Sequence, residues 1–315
     1  MYKPQKYIVM KKVLVATEKP FAPAAVDGIR EVLDKAGYEL ILLEKYTSAD
    51  QWKEVAADVD AMIIRSDKAT ADIINAAPRL KVIVRAGAGY DNIDLEACTN
   101  NSVVAMNTPG QNSNAVAELA FGMMLYQVRK GFDGTSGTEL RGKKLGIHAY
   151  GNIGKYVAEI ARGFGMDLYA FDPFVDKAEM EQDGIKPLDT EKALYESCDF
   201  ISLHIPANEK TKGSIGYELL TAMPPKATLV NTARKEVMDE EGLIKAMTER
   251  QDIRYLSDVA PGCRAEIEEK FPGRFVFTAK KMGAQTAEAN INAGIAAATQ
   301  IVNYLEKGDE TFKVN

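Results

Sequence analysis

The chain has 315 residues, 46% hydrophobic and 27% charged, which suits two domains that each bury a sizeable core and excludes a disordered chain. A formal charge of −6 and a pI near 5.3 argue against nucleic acid or a membrane surface as partner. Cys98, Cys198 and Cys263 are widely spaced, which excludes the usual zinc-ligand spacing, predicts no metal site and fits a reducing, cytoplasmic location.

The opening "MYKPQKYIVM" is polar and lacks the hydrophobic core of a signal peptide; it reads as a short extension, or an upstream start relative to Met10. No apolar run approaches the ~18 residues of a membrane helix. From Val13 onward, short β-branched runs alternate with amphipathic stretches. Strands are predicted at 13–17, 39–44, 61–65, 81–86 and 103–107, each nearly continuous in apolar residues, as strands covered on both faces are. "AAVDGIREVLDKAG" supplies a helix between them, closed by Gly37. The segment 112–130 has the spacing of one long helix. The alternation then restarts, with strands predicted at 144–150, 167–172, 199–205, 227–232, 254–260 and 275–278. Two successive series of this kind imply an α/β fold of two doubly wound, Rossmann-like parallel-sheet domains with a cleft between them. There is no short repeat and no low-complexity tract.

The second series opens on "LGIHAYGNIGKYVAEIARGFGMDLYAFDPF". Its turn is an AxGxxG form of the dinucleotide fingerprint, with Ala149 at the first glycine position. Gly151 lets the backbone approach a pyrophosphate and Gly154 lets the helix pack close to the strand. The N–H groups at the start of that helix, around Asn152 and Ile153, face the phosphates. Asp172, 18 positions beyond Gly154 at the next strand end, suits the ribose hydroxyls and repels a 2′-phosphate, which selects NAD over NADP.

The stretches "RAGAGYDNIDLEA", "NTPGQNSNAVAELAFGMML", "GTELRGKKLGI", "LHIP", "LVNTARKEVMDEEGL" and "MGAQTAEAN" run in order along the chain. With the fingerprint they resemble the D-isomer 2-hydroxyacid dehydrogenases, and most of all the phosphoglycerate-oxidising branch. The resemblance implies a discontinuous substrate-binding domain, 1–107 plus 290–315, and an NAD-binding domain, 108–289. It also implies a homodimer through the 112–130 helix and a small phosphorylated 2-hydroxyacid as substrate.

By resemblance, Arg234 of "NTAR" binds the substrate's 2-oxo and carboxylate oxygens, a bidentate task for a planar fork. Ala86 and Gly87 belong to a nest of N–H groups for the substrate carboxylate. Asp258 faces the nicotinamide carboxamide, and Ile205, Pro206, Thr232 and Ala233 line the cofactor. Arg65 and Arg85, ending successive strands, match the positions that bind the phosphate; two converging guanidiniums need an anion between them. Lys68 is a possible helper.

The family's proton relay is a His supported by a Glu, and here the pattern departs. His148 and His204 are the only histidines, and both read as packed or supporting. Lys281 stands at the His position and Cys263 at the Glu position. One reading is a silent NAD-binding protein. The other is a coupled substitution: a lysine has no tautomer for a carboxylate to fix, and a carboxylate beside its ammonium would hold the proton too tightly. Oxidation is then expected to run best at alkaline pH, since only the neutral amine accepts a proton. Glu266, or another acid of "CRAEIEEK", is the alternative carboxylate. Lys235, where the family has glycine, puts the local turn in question. The chain stops at Asn315 after the final helix, so no C-terminal regulatory domain is expected.

Overall fold

The structure, a computed structural model, describes residues 10–315; the predicted N-terminal extension lies almost wholly outside the described residues. Its packing divides the chain into two compact units. One runs to Asn112 and resumes over Gln285–Asn315; the other is Ser113–Ala284.

The first unit holds five parallel strands: β1 (Lys12–Thr17), β2 (Glu39–Glu44), β3 (Ala61–Ile64), β4 (Val82–Arg85) and β5 (Val104–Asn107). Their order in the sheet is β2-β1-β3-β4-β5. Alternation along β1 explains its continuous apolar sequence. Val13 and Val15 pack with Ile29, Leu33, Ala297 and Ile301 on one face. Leu14 and Ala16 pack with Trp52, Ile73 and Cys98 on the other. The helix Pro23–Lys35 begins on a proline, which suits a first turn, and stops where Gly37 turns left-handed at φ +72°. The Gly37 N–H then donates to the Asp34 carbonyl and the Tyr38 N–H to that of Leu33. The final helix, Ala287–Lys307, is capped by the Thr286 hydroxyl, which accepts the Ala289 N–H at 3.1 Å. Such a cap stabilises a helix by about 1 kcal/mol. This helix lies against Pro23–Lys35 so closely that a Cβ on Gly28 would fall 2.7 Å from Ile295.

The second unit holds seven parallel strands: β6 (Lys144–His148), β7 (Asp167–Phe171), β8 (Lys186–Pro187), β9 (Phe200–Leu203), β10 (Thr228–Asn231), β11 (Arg254–Ser257) and β12 (Phe275–Phe277). The order is β12-β11-β10-β9-β6-β7-β8. The two-residue β8 was not predicted: it is short, and its proline is tolerated because it lies at the sheet edge. The long helix is Ser113–Val128, with Ala117, Ala120, Phe121 and Met124 buried against the sheet and Asn114, Glu118, Gly122 and Tyr126 exposed along one stripe. Both units are therefore doubly wound parallel α/β folds.

In each sheet the strand order reverses once, between β1 and β3 in the first and between β6 and β9 in the second. A ligand crevice forms outside the carboxyl ends of the strands at such a reversal. In the first unit those ends carry Lys19, Pro20 and Arg65; in the second they carry Ala149–Gly151 and His204–Pro206.

Candidate active site

The turn after β6 leads straight into the helix Asn152–Gly163. Ala149, at the first glycine position of the fingerprint, takes φ +79°, the left-handed conformation glycine would hold there more easily. Its N–H donates to the Phe171 carbonyl at 3.0 Å, which ties the turn to β7. Gly151 caps the helix with no side-chain acceptor, leaving the first-turn N–H groups directed outward. A Cβ on Gly151 would meet nothing within 4 Å, whereas one on Gly154 would lie 2.4 Å from the Ala149 carbonyl oxygen. Gly151 thus faces open space and Gly154 permits the tight strand–helix join. Asp172 accepts the Tyr150 N–H on Oδ2 and the Phe174 N–H on Oδ1, both at 2.8 Å, so its carboxylate is fixed beside the turn.

Ile205 and Ala233 are buried, while Pro206 is exposed. The buried Thr232 hydroxyl finds no partner among the described residues. An open glycine turn at a helix start, a fixed carboxylate at the next strand end and this spare hydroxyl together fit a dinucleotide such as NAD.

Arg234 is exposed at the end of the β10 turn. The turn is braced by Asn231, which sequence reading missed: its Nδ2 donates to the Arg234 carbonyl (3.0 Å) and its Oδ1 accepts the Ala233 N–H (3.0 Å). The only sequence signal was an Asn two residues before the Ala. Lys235 opens a short 3-10 turn and is absent from the left-handed residues, so no glycine is required there.

Asp258 follows β11 and is 1% exposed. Its carboxylate accepts the Thr278 hydroxyl (2.9 Å) and the Met282 N–H (2.8 Å) on Oδ1, and the Gly283 N–H (2.8 Å) on Oδ2. Three protein donors therefore converge on the group expected to face nicotinamide. They belong to the exposed loop that carries Lys280 and Lys281, so within the described residues Asp258 fixes that loop.

Cys263 begins the helix Arg264–Lys270. Burial and the Glu240 charge push its thiol up to about 12, so it is a neutral thiol at physiological pH. A carboxylate does reach this position, from Glu240: its Oε1 accepts the Gly262 N–H (2.6 Å) and its Oε2 the Cys263 N–H (2.8 Å). Glu266 is ion-paired with Lys270 at 2.7 Å. Both glutamates line a cavity of about 390 Å³ with Cys263 and Lys245.

In the first unit, Arg65 is half-buried. Its Nη1 donates to the carbonyls of Lys19 (3.4 Å) and Pro20 (3.2 Å), its Nη2 to Asn290 Oδ1 (2.6 Å), and its plane sits 4.9 Å above the Phe21 ring. Among the described residues no carboxylate comes within ion-pair distance of it; burial lowers its pKa, against a smaller opposing pull from the Asp67 charge. Arg85 Nε donates to the Arg65 carbonyl at 3.1 Å, so the two arginines are linked through the backbone of one and the side chain of the other.

The nest predicted at Ala86 and Gly87 is not formed by those two amides. The Ala86 N–H donates to Ile64 and the Gly87 N–H to Arg85, both at 2.8 Å. Gly87, at φ +146°, instead makes room for Arg85: a Cβ there would overlap its guanidinium at 1.4 Å. Lys68 is exposed.

The histidines are packed. His148 is buried, with Nδ1 3.3 Å from the Tyr195 hydroxyl and Nε2 3.5 Å from Glu191. His204 Nε2 lies 2.9 Å from the Ser202 hydroxyl, and desolvation lowers its pKa to about 3. No group of three or more metal-ligating side chains occurs among the described residues, and none of the helices there is long and apolar enough to cross a membrane.

Residues 119–272 match the NAD-binding domain of the D-isomer-specific 2-hydroxyacid dehydrogenases. Over 94% of its length the chain is 34% identical to a D-3-phosphoglycerate dehydrogenase of Methanocaldococcus jannaschii, of which it spans 58%. It is also 34% identical to a hydroxypyruvate reductase of Thermotoga maritima, over 88% of this chain and 97% of that one. The NAD+-bound crystal structure of 3-phosphoglycerate dehydrogenase from Entamoeba histolytica shares 49% identity and a TM-score of 0.84, with 97% of this chain and 99% of that chain covered. The fingerprint turn, the fold of both units and these likenesses agree: the chain belongs to the D-isomer-specific 2-hydroxyacid dehydrogenases and carries their NAD-binding domain.

Proposed function

We propose that the protein oxidises D-3-phosphoglycerate to 3-phosphohydroxypyruvate with NAD, the first step of serine biosynthesis. The observation that carries this choice of substrate is Arg65. A half-buried guanidinium held at a sheet reversal by three neutral oxygens keeps its full charge for an anion. Arg85, packed over Gly87, donates from Nε to the Arg65 carbonyl, which ties the ends of the two strands together. The likeness to two phosphoglycerate dehydrogenases supports the same reading.

Arg234 holds the 2-oxo and carboxylate oxygens and polarises the carbonyl. Lys281, on the loop fixed by Asp258, takes the C2 hydroxyl proton on Nζ as the C2–H bond breaks. NAD, when bound, supplies the hydride acceptor. Glu240 holds the backbone of the position where relatives place the relay glutamate, so Lys281 works without a tautomer-fixing carboxylate from residue 263. Ile205, Pro206, Thr232 and Ala233 line the nicotinamide side. The enzyme works in the cytoplasm as a homodimer joined through Ser113–Val128; the exposed Tyr126 on that helix and the exposed Phe132 just beyond it suit a face that meets a second copy.

The test is NADH consumption across a panel of 2-oxo acids that includes phosphohydroxypyruvate and hydroxypyruvate. Phosphohydroxypyruvate should be preferred, and Lys281→Met should lower its turnover by at least about 100-fold with NADH affinity retained. A preference for hydroxypyruvate would favour the second reading, a reductase of an unphosphorylated 2-hydroxyacid such as glycerate or lactate, which the Thermotoga relative supports. NADH binding with no turnover of any 2-oxo acid would leave a silent NAD-binding protein.

A further inference from the structure

Arg65 does not choose its own direction. Its Nη2 is held at 2.6 Å by Asn290 Oδ1, and Asn290 is itself oriented, because its Nδ2 donates to the Thr286 carbonyl at 2.7 Å. That second bond fixes which end of the amide faces the arginine, since only the oxygen can accept from a guanidinium. Thr286 in turn caps the final helix through its hydroxyl. A short chain of contacts thus runs from the helix cap through Asn290 to the guanidinium, while the Phe21 ring supports its face.

The choice of amide over acid matters as much as the geometry. An aspartate at 290 would offer nearly the same shape, yet would form an ion pair and cancel the charge that an anion needs. An asparagine holds the cation in place and leaves it positive.

We propose that Asn290 is a positioning residue for substrate selection: it aims Arg65, uncancelled, at the phosphate monoester of a phosphorylated 2-hydroxyacid. This rests on the reading that Arg65 meets the substrate phosphate. Asn290 needs no contact with substrate; it acts through the arginine.

The experiment compares Asn290→Asp, Asn290→Ala and Arg65→Ala with the wild type. It reads the ratio of kcat/KM for phosphohydroxypyruvate to that for hydroxypyruvate, together with the melting temperature. Arg65→Ala should lower the ratio about 10- to 100-fold, the loss of one charge-assisted contact. Asn290→Asp should lower it about tenfold or more with an unchanged or raised melting temperature, because the new ion pair holds the fold while silencing the charge. Asn290→Ala, which frees the arginine without neutralising it, should fall between wild type and Asp.

A purely structural role predicts the reverse order, with Ala worse than Asp and the melting temperature falling alongside, and that order would overturn the proposal. If Arg65→Ala lowers the ratio but neither Asn290 variant does, the positioning role fails and the phosphate reading stands. If Arg65→Ala leaves the ratio unchanged, the phosphate reading fails and takes the proposal with it.

Discussion

Ala149 holds φ +79°, where a Cβ crowds the neighbouring carbonyl at a cost of roughly 1 kcal/mol, less when neighbours hold it in place. Its N–H bond to Phe171 is one such hold. Ala149→Gly should therefore stabilise the protein by about 0.5–1 kcal/mol despite glycine's greater freedom when unfolded, read as a higher urea midpoint at unchanged slope; a lower midpoint would show that the turn is not strained. His204 sets a second expectation at this scale. Its folded pKa of about 3 lies below the ordinary 6.5, so the unfolded chain binds a proton that the folded chain refuses. Stability contributed by this residue is complete above about pH 6.5 and falls as the pH drops towards 3, by up to about 1.4 kcal/mol per pH unit. Urea midpoints of the wild type and His204→Asn, followed from pH 7 to 4, should diverge, with the wild type losing more. At this scale the glycine turn and the carboxylate beside it were legible, since the spacing of Gly151, Gly154 and Asp172 is local. It could not reveal the sign of φ at Ala149, nor that the Ala86 and Gly87 amides bond to chain carbonyls, because those depend on partners in other strands.

Among the elements, the loop after β12 depends on one buried carboxylate. Asp258 accepts from Thr278, Met282 and Gly283 and so brackets Lys281 on both sides. Asp258→Asn would turn an NH2 group towards one of those N–H donors and leave a buried donor without an acceptor, a loss of about 1–3 kcal/mol. The expected result is faster amide exchange across 279–285 and a kcat lowered more than NADH affinity; unchanged exchange there would show that the loop is held by other means. The central strands were legible because they are covered by helices on both faces, which forces continuous apolar runs such as "AMII". Most predicted strands ran one to three residues past the observed ends, since buried residues such as Ala86, Tyr150, Ile205 and Val259 continue beyond the last ladder pair. Glu240 was missed for a different reason. Its amide partners, Gly262 and Cys263, lie more than twenty residues away, and no periodicity records such a pairing.

For the molecule as a whole, the two-sheet plan follows from two series of alternating elements, but nothing in periodicity tells that the last helix belongs with the first sheet. The family resemblance supplied that. Ala293, Ala297, Ala298 and Ile301 of the final helix bury the face that Phe21, Ile29 and Leu33 present. A chain ending at Thr286 should expose this face, bind a hydrophobic dye strongly and lose cooperative melting of the first unit, whereas Ser113–Ala284 keeps its own core. Full cooperativity in the shortened chain would show that the first unit is complete without the helix. The same discontinuity governs how the protein is born. At ~5–20 residues per second, the residues between Asn112 and Ala287 occupy the ribosome for roughly ten seconds or more. Throughout that interval the second unit can assemble from chain already made, while the older first sheet waits with one apolar side uncovered. The first unit to be synthesised is thus the last to be finished, and its dependence on chaperones should be set by translation speed rather than by its own stability.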